Sequence, residues 1–127
     1  MKLVIGGYAQ GKLNYVLGTY DADACRIFDG VIPKETGTEQ GVPVIDHFHN
    51  WVRQKPSHGE ECEKVVFAFI ENHPDCVIIC DEIGNGIVPV DAFERTYRET
   101  TGRLLIELAK KADEVERVIC GIGQKIK

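Results

Sequence analysis

Five consecutive apolar residues, Cys76-Val77-Ile78-Ile79-Cys80, run straight into two acids, Asp81 and Glu82. Side chains alternate across a strand, so an uninterrupted apolar run has to be covered on both faces. Central strands of a parallel sheet are built this way, with helices packed on either side. The rest of the chain supplies the partners. Lys2 to Ile5 reads as a buried strand, and Lys12 to Thr19 as a helix with Leu13, Val16 and Leu17 on one face. Cys25 to Phe28 forms a brief strand, and Asp29 to Val42 a loop rich in Gly, Thr, Pro and charge. Val44-Ile45 closes on Asp46 and leads into a helix through Phe48, Trp51 and Val52.

Ser57-x-x-Glu60 has the form of a capping box, opening a helix that Pro74 ends. Asp91 reads as the N-cap of the longest helix, whose stripe is Phe93, Tyr97, Leu104, Leu105 and Leu108. Val115 to Cys120 is a further strand, Gly121 and Gly123 a turn, and Gln124 to Lys127 an edge strand. Strands alternating with helices predict an α/β fold, a mostly parallel sheet flanked by helices. With 127 residues, 43% of them hydrophobic, residues 1–127 are expected to form one domain.

Gly6-Gly7-Tyr8-Ala9-Gln10-Gly11-Lys12 fits G-x-x-x-x-G-K and lies between the first strand and its helix. Glycines let successive backbone N–H groups turn toward phosphate oxygens, and the helix N-terminus adds its positive end. Lys12 would reach the outer phosphates as a point charge. The following position calls for a magnesium-ligating hydroxyl, and Leu13 has none. From these residues alone the loop is either a phosphate cradle or a plain glycine-rich turn.

Asp81 and Glu82 fall at the carboxyl end of the buried strand, where open α/β sheets bind ligands. A carboxylate there can hold Mg²⁺ or place a hydroxyl for attack on phosphorus. Alternation allows only one of the two to face the site. Gly84-Asn85-Gly86 continues into a second glycine loop able to close over a ligand, and Pro89 precedes the Asp91 cap.

Glu82 to Pro89, Gly102-Arg103 and Ala112 to Val115, with the glycine loop and the Val44-Ile45-Asp46 and Trp51-Val52 pairs, carry a resemblance. The chain resembles the bifunctional adenosylcobinamide kinase / adenosylcobinamide-phosphate guanylyltransferase family of cobalamin biosynthesis, as a shortened and degenerate member. The resemblance implies a P-loop NTPase-like fold of the RecA kind and assembly into a homo-oligomer. It also implies phosphorylation of adenosylcobinamide from ATP or GTP, then GMP transfer through a guanylylated histidine. Lys12 and Glu82 would be catalytic, with Gly6, Gly7, Tyr8, Ala9, Gln10, Gly11, Lys12, Gly84 and Gly86 around the nucleotide. Asp46 and Glu82 would attend the Mg²⁺. The family's histidine belongs to a stretch corresponding to Asp21 to Pro43, which here holds no histidine. The resemblance therefore implies nucleotide binding without histidine-linked guanylyl transfer. A non-catalytic or regulatory relative that keeps only the fold is the competing expectation.

The remaining features set boundaries. A net charge of −5 argues against nucleic acid as a partner. No apolar run approaches the roughly 20 residues that span a bilayer. Five cysteines without a Cys-x-x-Cys pair read as free thiols in a reducing compartment, which predicts a cytoplasmic protein. On a strand His47 and His49 would share a face and, with Asp46, could bind a zinc-type ion; on a helix, as the segment is read here, they diverge. His58 and His73, at helix boundaries, read as solvated.

Overall fold

The computed structural model describes residues 1–55, 59–84 and 90–127. The strands are β1 (Lys2–Gly6), β2 (Cys25–Asp29), β3 (Val42–Asp46), β4 (Val77–Asp81), β5 (Glu114–Ile119) and β6 (Ile122–Lys125). The helices are α1 (Lys12–Thr19), α2 (Phe48–Arg53), α3 (Glu60–Asn72) and α4 (Ala92–Lys111). One sheet runs in the order β2-β3-β4-β1-β5-β6. Its pairings are parallel except for the β5–β6 hairpin. This is an α/β fold of P-loop NTPase-like form, and among the described residues no helix is long and apolar enough to cross a membrane.

Alternation along the strands sorts the apolar side chains into two cores. Leu3, Ile45, Ile78, Cys80 and Val115 pack with α2, α3 and α4 on one face. Val4, Val44, Val77, Ile79 and Val118 pack with Val16 of α1 on the other. Every residue from Cys76 to Cys80 is inaccessible to solvent, as the uninterrupted apolar run requires. The Asp91 carboxylate caps α4, accepting from the amides of Phe93 (2.8 Å) and Glu94 (3.2 Å). Gly59 precedes α3, while Ser57 of the expected capping box lies outside the described residues.

The C-terminal hairpin is placed differently from the sequence expectation. Cys120 (φ 50°) and Gly121 (φ 76°) make a two-residue turn, so β6 starts at Ile122. Gly123 lies inside the strand, opposite Val118, because the Tyr15 ring occupies the space a Cβ would fill. The five cysteines form no disulfide, with Cys62, Cys76 and Cys80 buried, Cys25 half-buried and Cys120 exposed.

The topology fixes where a ligand can sit. From β1 the chain crosses through α1 to β2, and from β4 it crosses back through α4 to β5 on the other side of β1. The two connections leave adjacent strands in opposite directions over opposite faces. Their divergence opens a crevice at the carboxyl ends of β1 and β4.

Candidate functional site

The glycine loop occupies that crevice. Gly6 lets β1 pass close to β5: a Cβ there would come within 2.6 Å of the Val118 carbonyl. Ala9 (φ 55°) and Gly11 (φ 82°) turn the backbone through left-handed conformations before α1 begins at Lys12. The loop is also pinned from outside. The Gln10 side chain accepts from the Cys120 amide (2.8 Å), and the Gln10 carbonyl accepts from the Gly121 amide (2.8 Å). Sequence reasoning passed over this tie, which needs the hairpin turn and the glycine loop side by side.

Lys12 is buried, and its Nζ lies at the floor of the loop. It donates to the Gly7 carbonyl (2.6 Å) and pairs with Asp81 Oδ1 (2.6 Å). Asp81 is held from the opposite side by His49. Its backbone amide donates to His49 Nδ1 (3.2 Å), so the neutral ring carries its proton on Nε2, 3.5 Å from Asp81 Oδ2. Burial holds the His49 pKa below its ordinary value, against the pull of Asp81.

Tyr8, Gln10, Lys12, Leu13, Asp46, His47 and Asp81 are among the residues lining a cleft of about 370 Å³. His47 sits at the helix entrance in a left-handed conformation (φ 50°) rather than within α2. That turn brings its ring edge-on to His49, with centroids 5.6 Å apart, so the two histidines meet instead of diverging. His47 Nδ1 lies 2.5 Å from Asp29 Oδ1 and 3.4 Å from Asp46 Oδ2. The bond to Asp29 raises the His47 pKa, with Asp46 adding to the effect. Asp29, Asp46 and His47 offer three donor atoms within 4.8 Å of one another, a set able to hold a cation at the cleft margin.

The second acid of the pair goes elsewhere. Glu82 receives Nε (2.7 Å) and Nη2 (3.0 Å) of Arg117 on β5. Asp81, opposite Gly6 in the strand register, is the acid that meets Lys12. The structure thus gathers Lys12, Asp46 and the glycine loop, and commits Glu82 to an ion pair. Gly84 is exposed and, among the described residues, does not line the cleft; Gly86 lies outside the described residues. Leu13 packs partly into the α1 core and offers the cleft no oxygen.

His73 also departs from expectation. It is buried, stacked on Phe69 at 4.3 Å between centroids, because the 30–41 segment folds back over the end of α3. His58 lies outside the described residues. Burial pushes the Cys76 and Cys80 thiols up to about 12, which leaves neither a nucleophile at neutral pH.

An open parallel sheet with a glycine loop, a buried lysine and carboxylates at its carboxyl end defines the P-loop NTPase-like class of α/β protein. Within that class, the family model for cobinamide kinase / cobinamide phosphate guanyltransferase (CobU) matches residues 30–126. The chain belongs to that family. It is similar to the bifunctional adenosylcobalamin biosynthesis protein CobU of Salmonella typhimurium, 47% identical over 51 residues. The protein of the same name from Escherichia coli is 45% identical over 51 residues. Each match covers 40% of this chain and only 28% of the relative's own length. The family match starts at residue 30 and does not include Gly6 to Lys12.

Proposed function

We propose that this chain binds a purine nucleotide, ATP or GTP, with its phosphates in the glycine loop, and acts as a cobinamide kinase-like phosphotransferase. The observation that carries this reading is the position of Lys12 Nζ, fixed between the Gly7 carbonyl and Asp81 at the base of the cleft. Residues 1–127 act as one nucleotide-binding unit in this reading. The ammonium would neutralise charge on the phosphoryl group in transfer, and the start of α1 would add backbone N–H donors. Asp81, anchored by His49, keeps the lysine aimed.

Magnesium prefers oxygen ligands and keeps several waters. Asp46 supplies a carboxylate on the cleft wall and Leu13 supplies nothing, so the ion would rest on Asp46 and water. When bound, it would offset charge on the phosphate oxygens. Asp21 to Pro43 holds no histidine, and histidine-linked guanylyl transfer is not part of the proposal. Self-association is: β6 leaves the sheet with an open edge, where Ile122 and Ile126 are exposed.

The absence of a hydroxyl at Leu13 favours a second reading, a module that binds nucleotide without transferring phosphate. Calorimetry with ATP and GTP, with and without Mg²⁺, separates the two. Lys12→Ala is expected to weaken binding at least tenfold, about 1.4 kcal/mol. Failure of the unmodified protein to bind either nucleotide sinks both readings. Binding indifferent to Mg²⁺ selects the module, and turnover of adenosylcobinamide selects the kinase.

A further inference from the structure

At the amino end of the sheet, away from the cleft, Glu35, Glu39 and His73 bring three donor atoms within 4.8 Å of one another. His73 stands at the end of α3 and is only 4% exposed. Its Nδ1 lies 3.1 Å from the Phe69 carbonyl, which can only accept, so Nδ1 carries the proton. In the neutral ring Nε2 is then a bare lone pair. It lies 2.9 Å from Glu35 Oε2, another acceptor, and among the described residues neither buried atom has a hydrogen-bond partner. Two acceptors held face to face need positive charge between them, either a proton or a metal ion.

The surroundings are built to keep both in place. The Arg26 guanidinium pairs with Glu35 Oε1 and leaves Oε2 for the site. Glu39 Oε1 accepts from the Thr36 amide (3.0 Å) and Oε2 from the Gly37 amide (2.9 Å). Glu39 Oε2 is 3.8 Å from His73 Nε2. Tetrahedral zinc ligands at about 2.0–2.1 Å from the ion stand about 3.3 Å from each other, between the two distances observed here. A histidine that gives its other N–H to a backbone carbonyl is also the usual arrangement around a bound metal.

We propose that Glu35, Glu39 and His73 form a zinc-type metal site, closed by water on the Glu39 side, which clasps the 30–41 segment to the end of α3. One nitrogen and two carboxylate oxygens suit zinc among divalent ions. The site is structural: it stands apart from the lysine and the glycine loop, and the proposal is independent of nucleotide binding.

Calorimetric titration of the full chain with zinc chloride, without nucleotide, tests it. One equivalent is expected to bind and to raise the thermal midpoint. His73→Gln and Glu39→Gln are each expected to weaken zinc binding at least about tenfold. Glu39 is partly exposed, so its variant reports on ligation even if the His73 variant fails to fold. His47→Asn disrupts the other histidine–carboxylate cluster, and zinc binding at Glu35, Glu39 and His73 is expected to persist in it. No binding by the folded protein overturns the proposal, with a shared proton then joining Glu35 and His73. Binding that survives Glu39→Gln, or that is lost with His47→Asn, overturns it too.

Discussion

The two ends of the parallel sheet carry similar chemistry, a histidine among carboxylates with a basic side chain nearby, and the chain treats them in opposite ways. At the carboxyl end, β1, β3 and β4 finish on Gly6, Asp46 and Asp81, and the segments that follow diverge to leave a cleft of about 370 Å³. At the amino end, the 30–41 segment folds back, and Gly37 packs against the Asn72 carbonyl so closely that a Cβ would sit 2.9 Å from it. Lys12 is paired from both sides, whereas His73 Nε2 and Glu35 Oε2 face each other with no hydrogen-bond partner among the described residues. The donor set alone does not distinguish a ligand cleft from a clasp. What distinguishes them is whether the topology separates the loops or brings one back over the strand ends.

The largest effect that would break this contrast is expected at Asp81. Among the described residues, Asp81→Ala leaves Lys12 buried with only the Gly7 carbonyl, and removing one partner of a buried pair costs about 3 kcal/mol. Denaturant unfolding measures it, and nucleotide binding should weaken as the lysine loses its aim. Zinc uptake at the amino end should not change. A variant as stable as the parent would mean that Lys12 is solvated and that the cleft floor is not preorganised.

A smaller effect sharpens the comparison through one glycine at each end. Gly6→Ala pushes a methyl group against the Val118 carbonyl and is expected to cost about 2 kcal/mol. It should weaken nucleotide binding and spare zinc. Gly37→Ala, at φ 86° and against Asn72, should do the reverse at about 1–2 kcal/mol. Unfolding curves and parallel titrations with GTP and zinc chloride would show whether each substitution stays at its own end.

The carboxyl end was far more legible in the sequence than the amino end, for physical reasons. The Cys76–Cys80 run demanded cover on both faces, and the helices on either side of the sheet provide it. The glycine loop announced its own turn, and α1 starts at Lys12 as the spacing implies. Choosing between Asp81 and Glu82 needed more than alternation. It depends on the register that sets Asp81 beside Gly6, and on Arg117, 35 positions away, claiming Glu82. His73 was unreadable for the same reason: its burial comes from a segment some 35 residues earlier with no periodicity of its own. The Cys120-Gly121 turn was missed because a cysteine with positive φ is no turn signal.

The smallest expected effect concerns His49, whose ring faces Asp81, His47, Lys12 and Asp46. Burial favours its neutral form, so its pKa in the folded protein lies below the ordinary 6.5. Below pH 6.5 the unfolded chain then binds more protons than the folded one, and stability falls as pH drops through the folded value. Above 6.5 this contribution is fully present and flat. One proton limits the slope to about 1.4 kcal/mol per pH unit. His49→Asn removes the titrating group, so its unfolding free energy should lose that acid-side slope while keeping the parent's behaviour above pH 7. The measurement is a set of urea unfolding curves between pH 5 and 8 (about one per half unit). An unchanged acid slope in His49→Asn would place the titration elsewhere and leave His49 as a packing residue behind Asp81.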